Sequence, residues 1–365
     1  MTLHKLLPEQ TDEIAPMSVR VSLNHELSDI SDAIVRTRAI QAFEHAAKCY
    51  PIHRIVRCAV RRKIVDVFDD LALQMGCAAQ RMDEGSLLLD APGIFIGGEG
   101  YTKGDYVSCW FRVWTDSLAR LEEVRQRILR VVGDQRLREQ MFVVDWNFCN
   151  ARGVLLSTSF DEIADEVLLD EAYPSLGKPI DEFIQSYLQA RETVLILQGP
   201  PGTGKTRLVR AVLAAMSRRK GDSAKVMYTA DKRALENDEI FVDFITGSHD
   251  AFVIEDADHL LKARTSGNFE LHRFLGVADG VVRAQSRKVI FTTNLPNIND
   301  IDDALLRPGR CYAVKNLRNL EPQEALRLAQ RVCGSDSDAA ARACASLSAA
   351  GAKAYSVAQV YRACA

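Results

Sequence analysis

The sequence predicts an α/β protein, with a parallel-sheet core, a C-terminal helical lid and a separate α+β domain in front. Three observations carry that expectation. Beyond about residue 170, apolar runs at Thr193–Leu197, Lys225–Tyr228, Ala251–Ile254 and Lys288–Thr292 alternate with helical stretches, as strands joined by crossovers do. From about Pro322 only helical periodicity is left, in an Ala-rich tail. Before residue 160 the texture is mixed, with strand-like alternation beside amphipathic helices.

Composition sets the limits. At about 150 residues per domain, 365 residues allow two to three domains. Hydrophobic residues at 47% and charged residues at 26% fit a globular chain, and a net charge of −3 excludes a strongly basic polyphosphate binder. No apolar run approaches the roughly 18 residues of a membrane helix. The first residues, MTLHKLLPEQTDEIAP, lack a signal-peptide core. The nine cysteines form no C-x-x-C pair, which points to a reducing compartment. The expectation is a cytoplasmic protein without a membrane partner.

Taken in order, residues 1–18 carry Pro8 and Pro16 and read as a flexible arm. Residues 19–160 form the front domain. From Ser28 to Met82 the pattern is helical, with Ile52, Ile55, Val56, Ala59, Val60 and Ile64 at three- and four-residue steps. Strands follow at Leu87–Gly97 and Tyr106–Trp114. In the second, Val107, Cys109, Phe111 and Val113 oppose Trp110, Arg112 and Trp114. Asp116 is placed to cap a helix whose stripe is Leu118, Leu121, Val124, Ile128 and Val132. Met141–Trp146 and Gly153–Ser157 read as a hairpin that completes this domain. The core spans 170–316, opening with a helix at Ile180–Ala190, and the lid spans 317–365.

The chemistry concentrates after the first core strand. Gly199, Pro200, Pro201, Gly202, Thr203, Gly204, Lys205 and Thr206 fit G-x-x-x-x-G-K-[ST], followed by a helix that starts at Arg207. Glycines let backbone N–H groups curl around an anion, and the helix N-terminus adds partial positive charge. Lys205 would reach the β- and γ-phosphates, and the Thr206 hydroxyl would ligate Mg²⁺. The apolar strand Ala251–Ile254 ends in Glu255, Asp256, Ala257 and Asp258, carboxylates placed beside that loop.

The loop, the acidic strand end and the stretch FTTN…DDALLRPGR together resemble the AAA+ family of ATPases over roughly residues 170–365. The resemblance implies a P-loop (RecA-like) core, ATP with Mg²⁺ as ligands, and a homo-oligomer, a hexameric ring. It places Asn294 at the sensor-1 position and makes Arg307 and Arg310 arginine fingers acting on a neighbour's nucleotide. It gives Glu255 and Asp256 the metal and water duties alongside Thr206. The usual acidic order is Asp then Glu. Here it is Glu255-Asp256, and with Tyr355–Val360 this resembles a subset that includes the mitochondrial complex III assembly ATPase. The loop Thr229–Leu235 carries no pore aromatic, and Lys353 makes a poor sensor-2 residue.

Other signals are weaker. Tyr173-Pro174-Ser175-Leu176 fits an adenine pocket or plain packing. The run Arg54, Arg57, Arg61, Arg62, Lys63 is followed by Asp66, Asp69 and Asp70, which favours a neutralised helix face over nucleic acid. Trp110 and Trp114 fit core packing better than a docking face, and His259 reads as an ordinary helix residue. The resulting function is an ATP-hydrolysing ring that remodels a protein assembly recognised by the front domain. The alternatives are a nucleotide-gated switch or scaffold, and a DNA-dependent ATPase.

Overall fold

The computed structural model describes Thr37 and residues 52–83, 85–104, 106–133, 141–164, 167–262, 287–307 and 309–365. The expected arm at 1–18 lies outside them, as does most of the helical reading between Ser28 and Pro51. The chain divides into two compact units. One runs to Gly133; the other takes Asp134–Ala365 together with Arg57–Val60.

The first unit is built on a five-stranded sheet in the order β1-β5-β4-β3-β2. Its strands are β1 (Ile52–Val60), β2 (Ala78–Asp83), β3 (Ser86–Ala91), β4 (Ile94–Lys103) and β5 (Tyr106–Thr115). Strands β2 to β5 form an antiparallel meander. Helices Ile64–Met75 and Leu118–Val132 pack on it through Phe68, Leu71, Leu121, Val124 and Ile128. The expected alternation in β5 holds: Val107, Cys109, Phe111 and Val113 are buried, and Trp110, Arg112 and Trp114 are half-buried.

Three local expectations fail here, each for a physical reason. Ile52–Val60 is a strand, not a helix: IHRIVRCAV satisfies both periodicities, and pairing beside β5 selects the strand, with Val56, Cys58, Ala59 and Val60 buried. Leu87–Gly97 is two strands, because Pro92-Gly93 turns the chain with Gly93 at φ +73°. Ser117, not Asp116, caps the helix, accepting from Arg120 N, while Asp116 instead pairs with Arg120 at 2.7 Å. Arg62 and Asp70 pair at 2.6 Å, so the acids do answer part of the basic run.

The second unit holds a seven-stranded sheet in the order β12-β8-β11-β10-β9-β6-β7. Its strands are β6 (Met141–Cys149), β7 (Leu155–Ile163), β8 (Val194–Gln198), β9 (Ala224–Thr229), β10 (Ala251–Ile254), β11 (Lys288–Thr293) and β12 (Cys311–Asn316). All pairings are parallel except β6 with β7. Every residue of β8, β10 and β11 is buried, as a sheet covered on both faces requires. Leu195, Leu197, Val253 and Ile290 join one core with helices Ile180–Gln189 and Lys205–Lys220 and the C-terminal helices. Val194, Ile196, Phe252 and Phe291 join the other with helices Lys232–Glu236, Asp238–Thr246 and Asp303–Leu306.

The hairpin therefore belongs to a different sheet from the one expected. Residues 141–163 extend the parallel core, so the expected boundary at 160 falls inside β7. The cause is β6: it pairs with β9 from Phe142 to Trp146 and buries Phe142 and Val144 in the core beneath helix Lys205–Lys220. Strand β12 was also not expected. Beyond it, helices Pro322–Cys333, Ser337–Ala350 and Val357–Cys364 close on Leu328, Ala343, Leu347, Tyr355 and Val360. Among the described residues no helix is long and apolar enough to cross a membrane.

One buried cation ties the sheet to its flanking helix. Lys288 Nζ donates to Ala190 O at 2.9 Å and Glu192 O at 3.0 Å, satisfying carbonyls where helix Ile180–Gln189 ends. Burial pushes its pKa from 10.5 down to about 8. The folded chain then holds fewer protons than the unfolded chain between those values, so this group adds stability as pH rises across that window. In urea unfolding at pH 8 and pH 10, the parent should gain stability relative to Lys288→Met. A constant difference between the two proteins contradicts the assignment.

Candidate functional site

Strand β8 sits where the sheet order switches direction, between β11 and β12. A crevice opens at the carboxyl ends of strands around such a point. The chain leaves β8 through Gly199–Gly204 and enters helix Lys205–Lys220. Two glycines there cannot be replaced freely. Gly199 has φ +151°, and a Cβ would run into the Leu317 carbonyl. Gly204 has φ +89°, and a Cβ would meet the Tyr173 hydroxyl at 2.6 Å, the same hydroxyl that donates to Gly204 O at 3.0 Å. Gly204 provides no side-chain cap for this helix, which leaves its first N–H groups without one.

Four strand ends deliver the polar groups. Lys205 Nζ donates to Gly199 O at 2.6 Å, Pro200 O at 3.1 Å and Asn294 Oδ1 at 2.9 Å. Asn294, just past β11, donates through Nδ2 to Asp256 Oδ1 at 2.9 Å. Glu255, just past β10, accepts from Thr206 Oγ1 at 2.7 Å and from the Tyr228 hydroxyl of β9 at 2.9 Å. Burial lowers the Lys205 pKa, against the opposing pull of Asp256, Asp258 and Glu255. Burial and then the Glu255 charge hold the Tyr228 hydroxyl well above its ordinary value, so it stays a neutral donor.

Asp256 is the one described non-glycine residue with positive φ, at +50°. A left-handed non-glycine residue costs about 1–2 kcal/mol. The kink is fixed from both sides: Asp256 N donates to Thr292 Oγ1 at 3.1 Å and Ala257 N to Thr292 O at 2.9 Å. Asp258 supports the partner, accepting from Thr293 Oγ1 at 2.6 Å and Asn294 N at 2.8 Å.

These groups line a cavity of about 520 Å³ whose walls include Gly202, Lys205, Thr206, Glu255, Asp256 and Asn294. Pro201, Gly204, Arg207 and Thr292 also line it, and the lid supplies Val357, Ala358 and Tyr361. Ala358 N donates to Gly202 O at 3.0 Å, and the Arg207 guanidinium lies 4.5 Å over the Tyr361 ring. An ammonium, a hydroxyl, open helix N–H groups and two carboxylates around one cavity suit a polyphosphate with a divalent cation. Among the described residues no three His, Cys, Asp or Glu side chains gather as a metal site. A cation here would need phosphate oxygens to complete its shell.

The expected residues divide cleanly. Lys205, Thr206, Arg207, Glu255, Asp256 and Asn294 come together; Gly199, Pro200 and Thr203 shape the loop, with Thr203 Oγ1 donating to Pro200 O at 2.9 Å. Arg307 and Arg310 do not line the cavity. Arg307 is exposed, and Arg310 donates to Ala304 O at 2.8 Å. Lys353 is exposed and off the cavity too. Tyr173 packs under the loop, and Leu176 joins the core. Tyr228 and Tyr361 were not singled out, and Asp258 was named among the strand-end acids without a role of its own. Position alone was their signal, at the end of the strand beside the acids, two residues past Asp256, and one turn beyond Ala358.

Residues 195–318 match the family model described as "ATPase family associated with various cellular activities (AAA)". That stretch, about a third of the chain, is similar to the AAA ATPase domain. The chain is 34% identical over 125 residues to the ATPase family gene 2 protein of Schizosaccharomyces pombe, which covers 32% of this chain and 15% of that protein. It is 28% identical over 186 residues to the vesicle-fusing ATPase of Caenorhabditis elegans, covering 46% and 22%. It is 32% identical over 169 residues to the 26S proteasome regulatory subunit 10B of Dictyostelium discoideum, covering 42% and 40%. The chain therefore spans less than half the length of these relatives.

Gly204→Ala tests the packing of the loop. The variant should lose about 1–3 kcal/mol in chemical unfolding, from the positive φ and the displaced Tyr173 hydroxyl. An unchanged unfolding midpoint would mean the loop relaxes without cost.

Proposed function

We propose that the chain is an ATP hydrolase acting as a homo-oligomeric, hexameric ring that remodels a protein assembly bound by its first unit. The observation that carries this reading is the cavity where Lys205, Asn294 and Asp256 form one hydrogen-bonded chain beside the Thr206–Glu255 pair. ATP would lie with its β- and γ-phosphates against Lys205 and the open helix N-terminus. Thr206, backed by Glu255, would hold Mg²⁺, which when bound neutralises charge on the phosphate oxygens. Asp256 orients a water and takes its proton. The water oxygen forms the new bond to γ-phosphorus as the bond to the β–γ bridging oxygen breaks, giving ADP and inorganic phosphate.

Asn294 holds Asp256 in place and bridges it to Lys205, so the base and the phosphate-binding cation keep a fixed relation. Arg207 is the one arginine lining the cavity among the described residues, whereas Arg307 and Arg310 lie off it. That placement supports their acting on a neighbour's nucleotide. The order Glu255-Asp256 supports membership of the inverted subset, and nine scattered cysteines without a C-x-x-C pair support a reducing, cytoplasmic setting.

A second reading is favoured by one feature. Asp256 is a methylene shorter than the usual water-polarising glutamate, which suits a nucleotide-gated switch that turns over slowly. Turnover measured across protein concentration separates the two. The enzyme reading expects the rate per chain to rise with concentration, and Arg307→Ala and Arg310→Ala to lose on the order of 10³-fold or more while still binding ATP. Asp256→Asn should also abolish turnover. Equal rates in Asp256→Asn and the parent favour the switch, and stimulation by DNA that fades with salt would redirect the account to nucleic acid.

A further inference from the structure

We propose that Tyr228 is a positioning residue: its hydroxyl fixes the Glu255 carboxylate so that Thr206 presents its free lone pairs to Mg²⁺. The proposal rests on the Mg²⁺–ATP reading of the cavity.

The sheet puts the three groups on one face. Strands β9 and β10 pair with Tyr228 opposite Val253, and the ladder continues as Glu255 N donates to Thr229 O at 3.0 Å. Along β10, Phe252 and Ile254 point into one core and Val253 into the other. Two residues on from Val253, Glu255 shares its face. Tyr228 packs against that same core, beneath the helix that carries Thr206. The meeting of Tyr228, Glu255 and Thr206 is thus a consequence of register.

Glutamate at this position carries one more rotatable bond than aspartate would. With only Thr206 to hold it, the carboxylate could pivot about that contact. The second contact removes the freedom: Oε1 accepts from Thr206 at 2.7 Å and Oε2 from Tyr228 at 2.9 Å. The Thr206 proton is then committed to Glu255. Its remaining oxygen lone pairs, the part of the hydroxyl that ligates a cation, are left available, and Thr206 lines the cavity. Burial and the neighbouring carboxylate push the tyrosine's pKa up, which favours its protonated, donating form.

Binding of a fluorescent ATP analogue, with Mg²⁺ and with EDTA, tests this on the intact chain. The parent should bind more tightly with Mg²⁺. A parent that binds equally weakly in both overturns the Mg²⁺–ATP reading itself. Tyr228→Phe keeps the ring and removes the donor. It should weaken Mg²⁺–ATP binding by about three- to tenfold, the scale of one ordinary intramolecular hydrogen bond. Binding in EDTA and the nucleotide-free unfolding midpoint should stay at parent values. In a Glu255→Gln background the same change should add little, because the carboxylate it served is gone. Should Tyr228→Phe not fold, Tyr228→Met carries the same comparison. An unchanged Mg²⁺–ATP affinity, or an equal loss with EDTA, makes Tyr228 a packing residue and overturns the proposal.

Discussion

The site depends on one amide. Asn294 accepts from Lys205 through Oδ1 and donates to Asp256 through Nδ2, both at 2.9 Å. An amide is suited to this bridge because it faces a cation with its carbonyl and an anion with its NH₂. A carboxylate there would repel Asp256, and an amine would repel Lys205. The bridge joins the ends of β8, β10 and β11, and Asp258 holds it by accepting from Asn294 N and Thr293 Oγ1. The sheet register, the phosphate loop and the acidic strand end therefore meet at a single side chain.

Around that bridge the fold stores strain, and the lid supplies one wall of the cavity. Asp256 is held left-handed by two bonds to Thr292, a cost the rest of the sheet sustains. The lid meets the loop through contacts that include Ala358 N to Gly202 O and Tyr361 beneath the Arg207 guanidinium. Both contacts line the cavity. A ligand that prefers one lid position would shift the helices beyond it, which is the coupling a nucleotide-driven machine needs.

The sequence made the parallel core legible because β8, β10 and β11 are uniformly apolar runs followed by turn signals, and the loop at 199–206 has a fixed spacing. Thr206 could be named from the loop's spacing, Glu255 and Asp256 because they end a strand that periodicity had already located, and Asn294 through the family resemblance. The failures have a common origin. IHRIVRCAV fits two periods, and only its partners choose between them. The hairpin at 141–163 has a local pattern that says nothing of which sheet it joins; its pairing with β9, some eighty residues away, decides that. Tyr228 and Tyr361 carry no motif. Their place at the site comes from strand register and from helix packing, which single-sequence spacing does not encode.

The most direct test of the account is amide hydrogen exchange with and without Mg²⁺–ATP, read on three segments at once: the phosphate loop 199–206, the acidic strand end 255–258 and the start of the last helix, 356–361. The account predicts that all three gain protection together at saturating nucleotide, because they wall one cavity. A folded protein in which nucleotide leaves all three unchanged, or protects the loop alone, contradicts it.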